Sequence, residues 1–430
     1  MTAPNGSILF NNSTGSDTTA SGLGAANVYG SGASTTGASA VVTGIDTTGV
    51  LSGDLLWVQS SSGRQFSIIA TVDSSTQVTC DDTFANTESG RTWAIGGKRA
   101  TWDNSLPVFS DAKAGWIIET ETDQSITSSI IIPSTVVGDP LNQVVIKGSD
   151  PLSKKIITQT NNNYLFNCSG QYITYRDMEV RYSHGTKNRA AFIFGQNRIR
   201  SVVNVDATHP TDYFQMFATR GGQAPSVAFV NCRIENLDYG ISFTDGSVSV
   251  VECLISNITN DGIGHVVNAD EFNLINSIVT GCGGDGVKCD RSARICCGNI
   301  FHSNGGDGFN GGSATSANVI MNNLFVDNTG FGIVLSTTTQ HQASDQNAFY
   351  NNTLGDRSNV SAGANDITLT ADPFVDAANG DFNLNADAGG GATLRANNYA
   401  LNTDTSVYPF RQYVSDPFGG GGGNVIVIED

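Results

Sequence analysis

Large apolar residues in this chain come in short runs, and each run is closed by Gly, Asn, Asp, Ser or Thr. Beyond residue 105 the runs read GWIIE, SIIIP, QVVIKG, KIITQ, YLFNC, YITYRDMEVR and AFIFG, with no helical period among them. Runs of this length bounded by turn formers predict strands. From 35 to 104 the runs SAVVTGI, DLLWVQ, FSIIATV, QVTC and TWAIGG predict a small antiparallel β domain. Residues 1–34 carry Gly, Ser, Thr and Asn with few large apolar residues, which predicts an extended arm.

The runs also repeat. A Gly followed by an apolar residue recurs at Gly240-Ile241, Gly262-Ile263, Gly286-Val287, Gly308-Phe309 and Gly332-Ile333, in steps of 22, 24, 22 and 24 residues. Before each lies a second strand, VNCRI (230–234), VECLI (251–255), INSIV (275–279), CGNIF (297–301) and MNNLF (321–325), with DQNAF (345–349) following. The last column of these segments is Ile234, Ile255, Val279, Phe301, Phe325 and Phe349, uniformly large and apolar, so it faces a core. The third column is Cys232, Cys253, Ser277, Asn299, Asn323 and Asn347. Coils stacked about 4.8 Å apart would let equivalent amides bond from coil to coil and satisfy buried turn backbone.

The pairing of x-N-N-x-[apolar] with D-G-[IVF] once per coil resembles the right-handed parallel β-helix superfamily, which includes pectate-lyase-like enzymes and many bacteriophage tailspikes. The resemblance is clear over about 225 to 350 and weaker back to about 110. A leucine-rich repeat has a similar period, but its Leu-x-x-Leu-x-Leu run and helical half are absent. The fold expected is all-β, a right-handed single-stranded parallel β-helix over 105–375, with the β domain at 35–104, a C-terminal cap at 376–418 and a Gly tether with a terminal strand at 419–430. About 11 or 12 coils would make a rod on the order of 50–60 Å long.

Composition narrows the function. A net charge of −18 with only 22 Lys and Arg argues against nucleic acid, whose binding rests on counterion release, and disfavours polyanionic sugars unless a cation bridges them. The start lacks the pattern of an export signal and no stretch approaches a membrane span, so synthesis in the cytoplasm is expected. The eight Cys are read as buried thiols rather than a disulfide framework. The four Trp (Trp57, Trp93, Trp102, Trp116) fall at or just beyond the small domain and are expected to fill its core, with a sugar-stacking platform as the other reading.

Candidate chemistry centres on Asp261, Asp285 and Asp307, each immediately before the repeating Gly. Asp-Gly makes a turn without further purpose. Stacked on successive coils, however, the carboxylates would stand roughly 5 Å apart, so a proton or a cation such as Ca²⁺ would have to lie between them. Such a pair could work as general acid and base on a glycosidic bond, with Lys288, His265, Asp290 and Arg291 as partners. The Asn-Thr-Asp, paired-Asp, Gly-His-Gly and Arg-Ile-Lys motifs of the superfamily's pectin hydrolases are absent, and GIGH at 262–265 lacks the second Gly. Cys282, Cys289, Cys296 and Cys297 with His302 lack zinc-knot spacing.

After Gly419–Gly423 the chain ends on Val425, Ile426, Val427 and Ile428, an apolar strand expected either to pair with a neighbouring subunit or to fold back on its own rod. Two functions follow. One is a virion-borne structural or attachment protein of the phage tailspike, fibre or head-decoration kind, located on a particle surface, with other virion proteins, further copies of itself and surface glycans as partners; the resemblance implies a trimer. The other is a polysaccharide lyase or glycoside hydrolase acting in a groove of the helix.

Overall fold

The computed structural model describes residues 7–10 and, from 28 to 399, all but 53, 62, 96–97, 100–101, 103–108, 110–111, 113–116, 139, 141–142, 162, 184–188, 196–197, 209–213, 220–224, 244, 267, 290–292, 313–317 and 338–341. The chain forms two compact units, Met1–His209 with Phe217–Val227, and Pro210–Met216 with Ala228–Asp430.

The first unit holds a closed antiparallel barrel of six strands, Val28–Thr35, Ser39–Thr43, Leu55–Ser60, Gly63–Ser74, Gln77–Phe84 and Glu88–Ile95. Its core gathers Val42, Leu56, Val58, Ile69, Val78, Phe84, Trp93 and Ile95. After the barrel the pairing becomes parallel: Val144–Gly148 pairs with Ile117–Thr120, and Ile173–Tyr182 with both Lys155–Gln159 and Ile199–Thr208. Two assignments to the arm change. Val28–Thr35 is a barrel strand, and Ser7–Phe10 adds in parallel to Ile117–Thr120 and Lys98–Arg99. Ser7–Phe10 reads SILF, a single apolar run too short to stand out against the Gly, Ser, Thr and Asn around it, which is why composition pointed elsewhere. The Trp residues also divide. Trp57 and Trp93 are buried on barrel strands, but Trp102 lies edge-on to Phe109 and Phe166, in the aromatic core that Tyr175, Phe192 and Phe194 continue. Trp116 lies outside the described residues.

The second unit is a right-handed parallel β-solenoid with three kinds of strand per coil. Long strands (Asp245–Val251, Asn268–Ile275, Ala293–Cys297, Asn318–Met321, Gln342–Asp345) form one face. Short strands (Arg233–Glu235, Leu254–Ser256, Ile278–Thr280, Ile300–His302, Leu324–Val326, Ala348–Tyr350) form a second. The third, the Asp-Gly face, stacks Tyr239–Ser242, Ile263–Val266, Val287–Cys289, Phe309–Asn310, Phe331–Val334 and Gly355–Ser358.

The repeat motif has a backbone cause. Each short strand lies between two corners that turn through a left-handed residue. The first corner uses Asn231, Glu252, Asn276, Gly298, Asn322 and Gln346, and the second uses Asn236, Asn257, Gly281, Ser303, Asp327 and Asn351, all with φ between 49° and 71°. Asn and Gly enter this region at the lowest cost, so the first residue of each N-N pair is a turn requirement. The strand between is three residues long, and its middle residue points inward. Ile234, Ile255, Val279, Phe301, Phe325 and Phe349 are in register and fully buried, as the apolar column required. Phe325 stacks on Phe301 at 4.9 Å and on Phe349 at 5.3 Å between centroids.

The first residue of each short strand points outward. Leu254, Ile278, Ile300, Leu324 and Ala348 therefore make an apolar stripe on the outer surface, which the cap covers. Phe374 and Phe382 from a hairpin of Phe374–Asp376 with Asp381–Leu384, Leu394 from a short helix Gly391–Ala396, and the flanking Leu369 and Tyr399 pack along that stripe. The C-terminal segment within 376–399 thus lies lengthwise against the side of the coils rather than only closing their end. The sequence shows the stripe as alternation within three-residue strands, too short to separate inner from outer columns. Residues 400–418 and 419–430 lie outside the described residues.

Candidate functional site

Polar side chains of the second unit are organised as ladders in which a backbone N–H of one coil donates to a side chain of an adjacent coil. On the first, Cys232 N donates to Cys253 Sγ (3.4 Å), Cys253 N to Ser277 Oγ (3.1 Å), Ser277 N to Asn299 Oδ1 (2.8 Å), Asn299 N to Asn323 Oδ1 (3.0 Å) and Asn323 N to Asn347 Oδ1 (3.1 Å). Asn347 N ends the series on Asp366 Oδ1 at 2.7 Å. A second ladder, missed by sequence reasoning, starts at the other corner: Cys282 N to Asn304 Oδ1, Asn304 N to Asn328 Oδ1, and Asn328 N to Asn352 Oδ1, at 3.1, 3.2 and 3.3 Å. Its signal was present as the Asn five residues after each first-ladder Asn.

The third ladder is the Asp column. Asp285 N donates to Asp261 Oδ1 (2.8 Å), Asp307 N to Asp285 Oδ1 (2.8 Å) and Phe331 N to Asp307 Oδ1 (2.7 Å). The residue before each donating N–H is Gly for a steric reason. A Cβ on Gly284, Gly306 or Gly330 would lie 2.2–2.3 Å from the Oδ1 of Asp261, Asp285 or Asp307. One carboxylate oxygen of each candidate is therefore spent on backbone.

The other oxygen of two of them meets an amide. Asn310 Nδ2 donates to Asp285 Oδ2 at 3.1 Å and to Asp307 Oδ2 at 3.2 Å, so these oxygens are no more than about 6 Å apart. The group between the carboxylates is a side-chain N–H donor. Burial raises both carboxyls above the usual range. At Asp285 the bond from Asp307 N opposes this, the charges of Asp307 and Asp261 add to it, and Lys288 opposes it. At Asp307 the bonds from Phe331 N and Asn310 and the charge of Lys288 oppose burial. Lys288 is exposed, in register with Asn310 on the neighbouring outward column. Tyr239 stands two residues before Ile241 as Asp261 stands before Ile263, and Phe331 takes the same place beyond Asp307, so half-buried aromatics flank the carboxylates on both sides. The side chain of His265, and Asp290 and Arg291, lie outside the described residues.

The thiols do not converge. Cys282, Cys289 and Cys296 are buried and Cys297 is half-buried and faces outward, while His302 has Thr280 Oγ1 at 2.9 Å from Nδ1 and Ser303 Oγ at 3.0 Å from Nε2. Among the described residues no three His, Cys, Asp or Glu side chains are grouped to hold a metal ion. No helix is long and apolar enough to cross a membrane among them.

Fold and ladders together define a right-handed parallel β-helix protein. A family model described as periplasmic copper-binding protein (NosD) matches residues 221–372, somewhat over a third of the chain. Among the described residues there, the buried thiols and His302 are dispersed among ladder and core positions and do not fit copper as a resident group. No curated protein matches the sequence. Similar solved structures include a catalytic domain of GH87 alpha-1,3-glucanase with nigerose (11% identity, 79% of this chain and 86% of that one, TM-score 0.30). A rhamnogalacturonan lyase (12%, 59% and 70%, 0.29) and the Azotobacter vinelandii mannuronan C-5 epimerase AlgE4 A-module (12%, 62% and 96%, 0.26) are others. At these TM-scores the pairings carry no argument about activity.

Proposed function

We propose that the protein is a particle-borne attachment rod, of the virion fibre, tailspike or head-decoration kind, that holds a surface glycan along the column from Tyr239 to Phe331 without cleaving it. The observation that carries this is the use of Asp261, Asp285 and Asp307 as backbone acceptors: each is fixed by the next coil's N–H, which suits a rigid recognition surface better than a proton shuttle. Carboxylate and amide oxygens accept sugar hydroxyls, and the flanking aromatic faces offer stacking over about 19 Å of the solenoid axis. The ladder bonding supports a structural role, since buried and cooperative backbone pairing resists local opening.

A second reading, glycan cleavage, is favoured by the raised carboxyls of Asp285 and Asp307, which could supply a general acid. One experiment separates the two. A panel of neutral and acidic polysaccharides, with and without Ca²⁺, is followed for binding, for reducing ends and for the absorbance of unsaturated products. Binding without product, weakened about 2- to 10-fold by Phe331→Ala, is expected. Product formation that Asp285→Asn abolishes overturns the attachment reading.

A further inference from the structure

The long-strand face carries an apolar patch on its outer side. Ile275, Cys297 and Met321 are register partners on one column, and Ile295 and Val319 on the next, alternating with buried Leu274, Cys296 and Ile320. Ile295 is 42% exposed and the other four are half-buried. None of the five is charged, on a chain whose net charge is −18.

Its size selects the occupant. With a coil spacing of about 4.8 Å and about 7 Å between alternate residues, the patch covers on the order of 200 Å². A stable interface between two proteins needs about 800 Å² from each partner, so a second copy is a poor fit. A single strand of four apolar residues, about 13 Å long, matches it. Val425, Ile426, Val427 and Ile428 are such a segment.

The chain leaves the described structure at the right place. Tyr399 Oη donates to Asn365 O at 3.1 Å, and Asn365 bonds Asp345 through its backbone N (2.7 Å) and its Nδ2 (2.8 Å). Asp345 is the next member of the Cys297–Met321 column. The residues from 400 to 424, ending in Gly419–Gly423, would span about 25–30 Å as a flexible chain and up to about 85 Å extended, so the patch is within reach. A connection of this length gives an effective concentration in the millimolar range, well above that of a neighbouring copy in dilute solution.

We infer that Val425–Ile428 docks on the outer patch of Ile275, Ile295, Cys297, Val319 and Met321 of its own chain. The inference stands independently of the attachment function. Cys297 provides the probe, because the other seven cysteines are buried. The full chain and a chain ending at Phe418 are reacted with a maleimide, and modification of Cys297 is timed by mass spectrometry. Loss of 419–430 is expected to speed the reaction at least about tenfold, with protection in the full chain unchanged across a dilution series. Equal rates overturn the assignment, and protection that fades on dilution places the segment on another copy and overturns it equally. Hydrogen exchange gives a second reading in the full chain: Ile295→Glu should accelerate exchange of the 425–428 amides, and unaltered exchange counts against docking.

Discussion

Truncating Asn323 to Ala tests whether the ladder amides hold the coils together. The side chain is fully buried and makes five bonds, one of them accepted from the Cys296 thiol at 3.6 Å. Its Oδ1 accepts Asn299 N at 3.0 Å and Asn299 Nδ2 at 2.9 Å, while its Nδ2 donates to Cys296 O at 2.8 Å and Asn347 Oδ1 at 3.0 Å. Two neighbours keep a partner after truncation: Asn299 Nδ2 still reaches Leu274 O, and Asn347 Oδ1 still accepts the backbone N of residue 323. The Asn299 N–H does not, and a buried orphan donor costs about 1–3 kcal/mol. The vacated volume adds about 1 kcal/mol, for a total of about 2–4 kcal/mol. Solenoids need not unfold in one step, so the assay is local: hydrogen exchange at the Asn299 amide should accelerate roughly 30- to 10³-fold. Asn323→Ser should recover part of this, because Ser277 fills the equivalent position and accepts Cys253 N. Acceleration below about tenfold in Asn323→Ala would show that the ladder is incidental and refute the reasoning.

Other outcomes follow from the same contacts. Phe382→Ala should cost about 3–5 kcal/mol and uncover the outer stripe of Ile278, Ile300 and Leu324, read as new binding of a hydrophobic dye. His302 lies edge-on to Phe374 and Phe382, and burial lowers its pKa against the opposing charges of Asp327 and Asp372. Between that lowered value and the usual 6.5 the unfolded chain binds more protons, so stability is full above about pH 6.5 and falls on acidification; His302→Gln should flatten this slope in thermal melts. Asp285 and Asp307 act in the opposite sense. Their raised pKa values mean the folded chain holds protons longer, so their contribution falls as pH rises above the usual 3.8, and Asp285→Asn should reduce that decline. Gly306→Ala should displace the Asp285 carboxylate and deprive Asp307 N of its acceptor, costing about 1–3 kcal/mol in a denaturant midpoint.

What was legible in the sequence had a period. The inner column from Ile234 to Phe349 and the polar column from Cys232 to Asn347 repeat every 21 to 24 residues, so a side chain's direction could be read by alignment alone. What was not legible lay outside the repeat. Ser7–Phe10 reaches its partner strand across some hundred residues of intervening chain, and nothing in four residues names that partner. The lateral packing of Phe374 and Phe382 requires knowing that Leu254 and Ile278 point outward, which in a three-residue strand depends on the corners. The Asp column was found, but the choice between a proton and a cation omitted an amide, because Asn310 lies three residues after Asp307 but 25 residues, a full coil, after Asp285.

The ladders are directional, and this restricts how such a chain can lengthen. In the two corner ladders each coil is completed by an acceptor belonging to its successor, in the Asp column by one belonging to its predecessor, and Asp366, paired also with Arg357, terminates the first series. A whole coil duplicated between Ser277 and Asn347 would supply one donor and one acceptor and leave Asp366 in its terminal role. An insertion of half a coil would strand an amide inside the core. Length can therefore change only in quanta of one coil, about 4.8 Å at a time, with both ends reused unchanged.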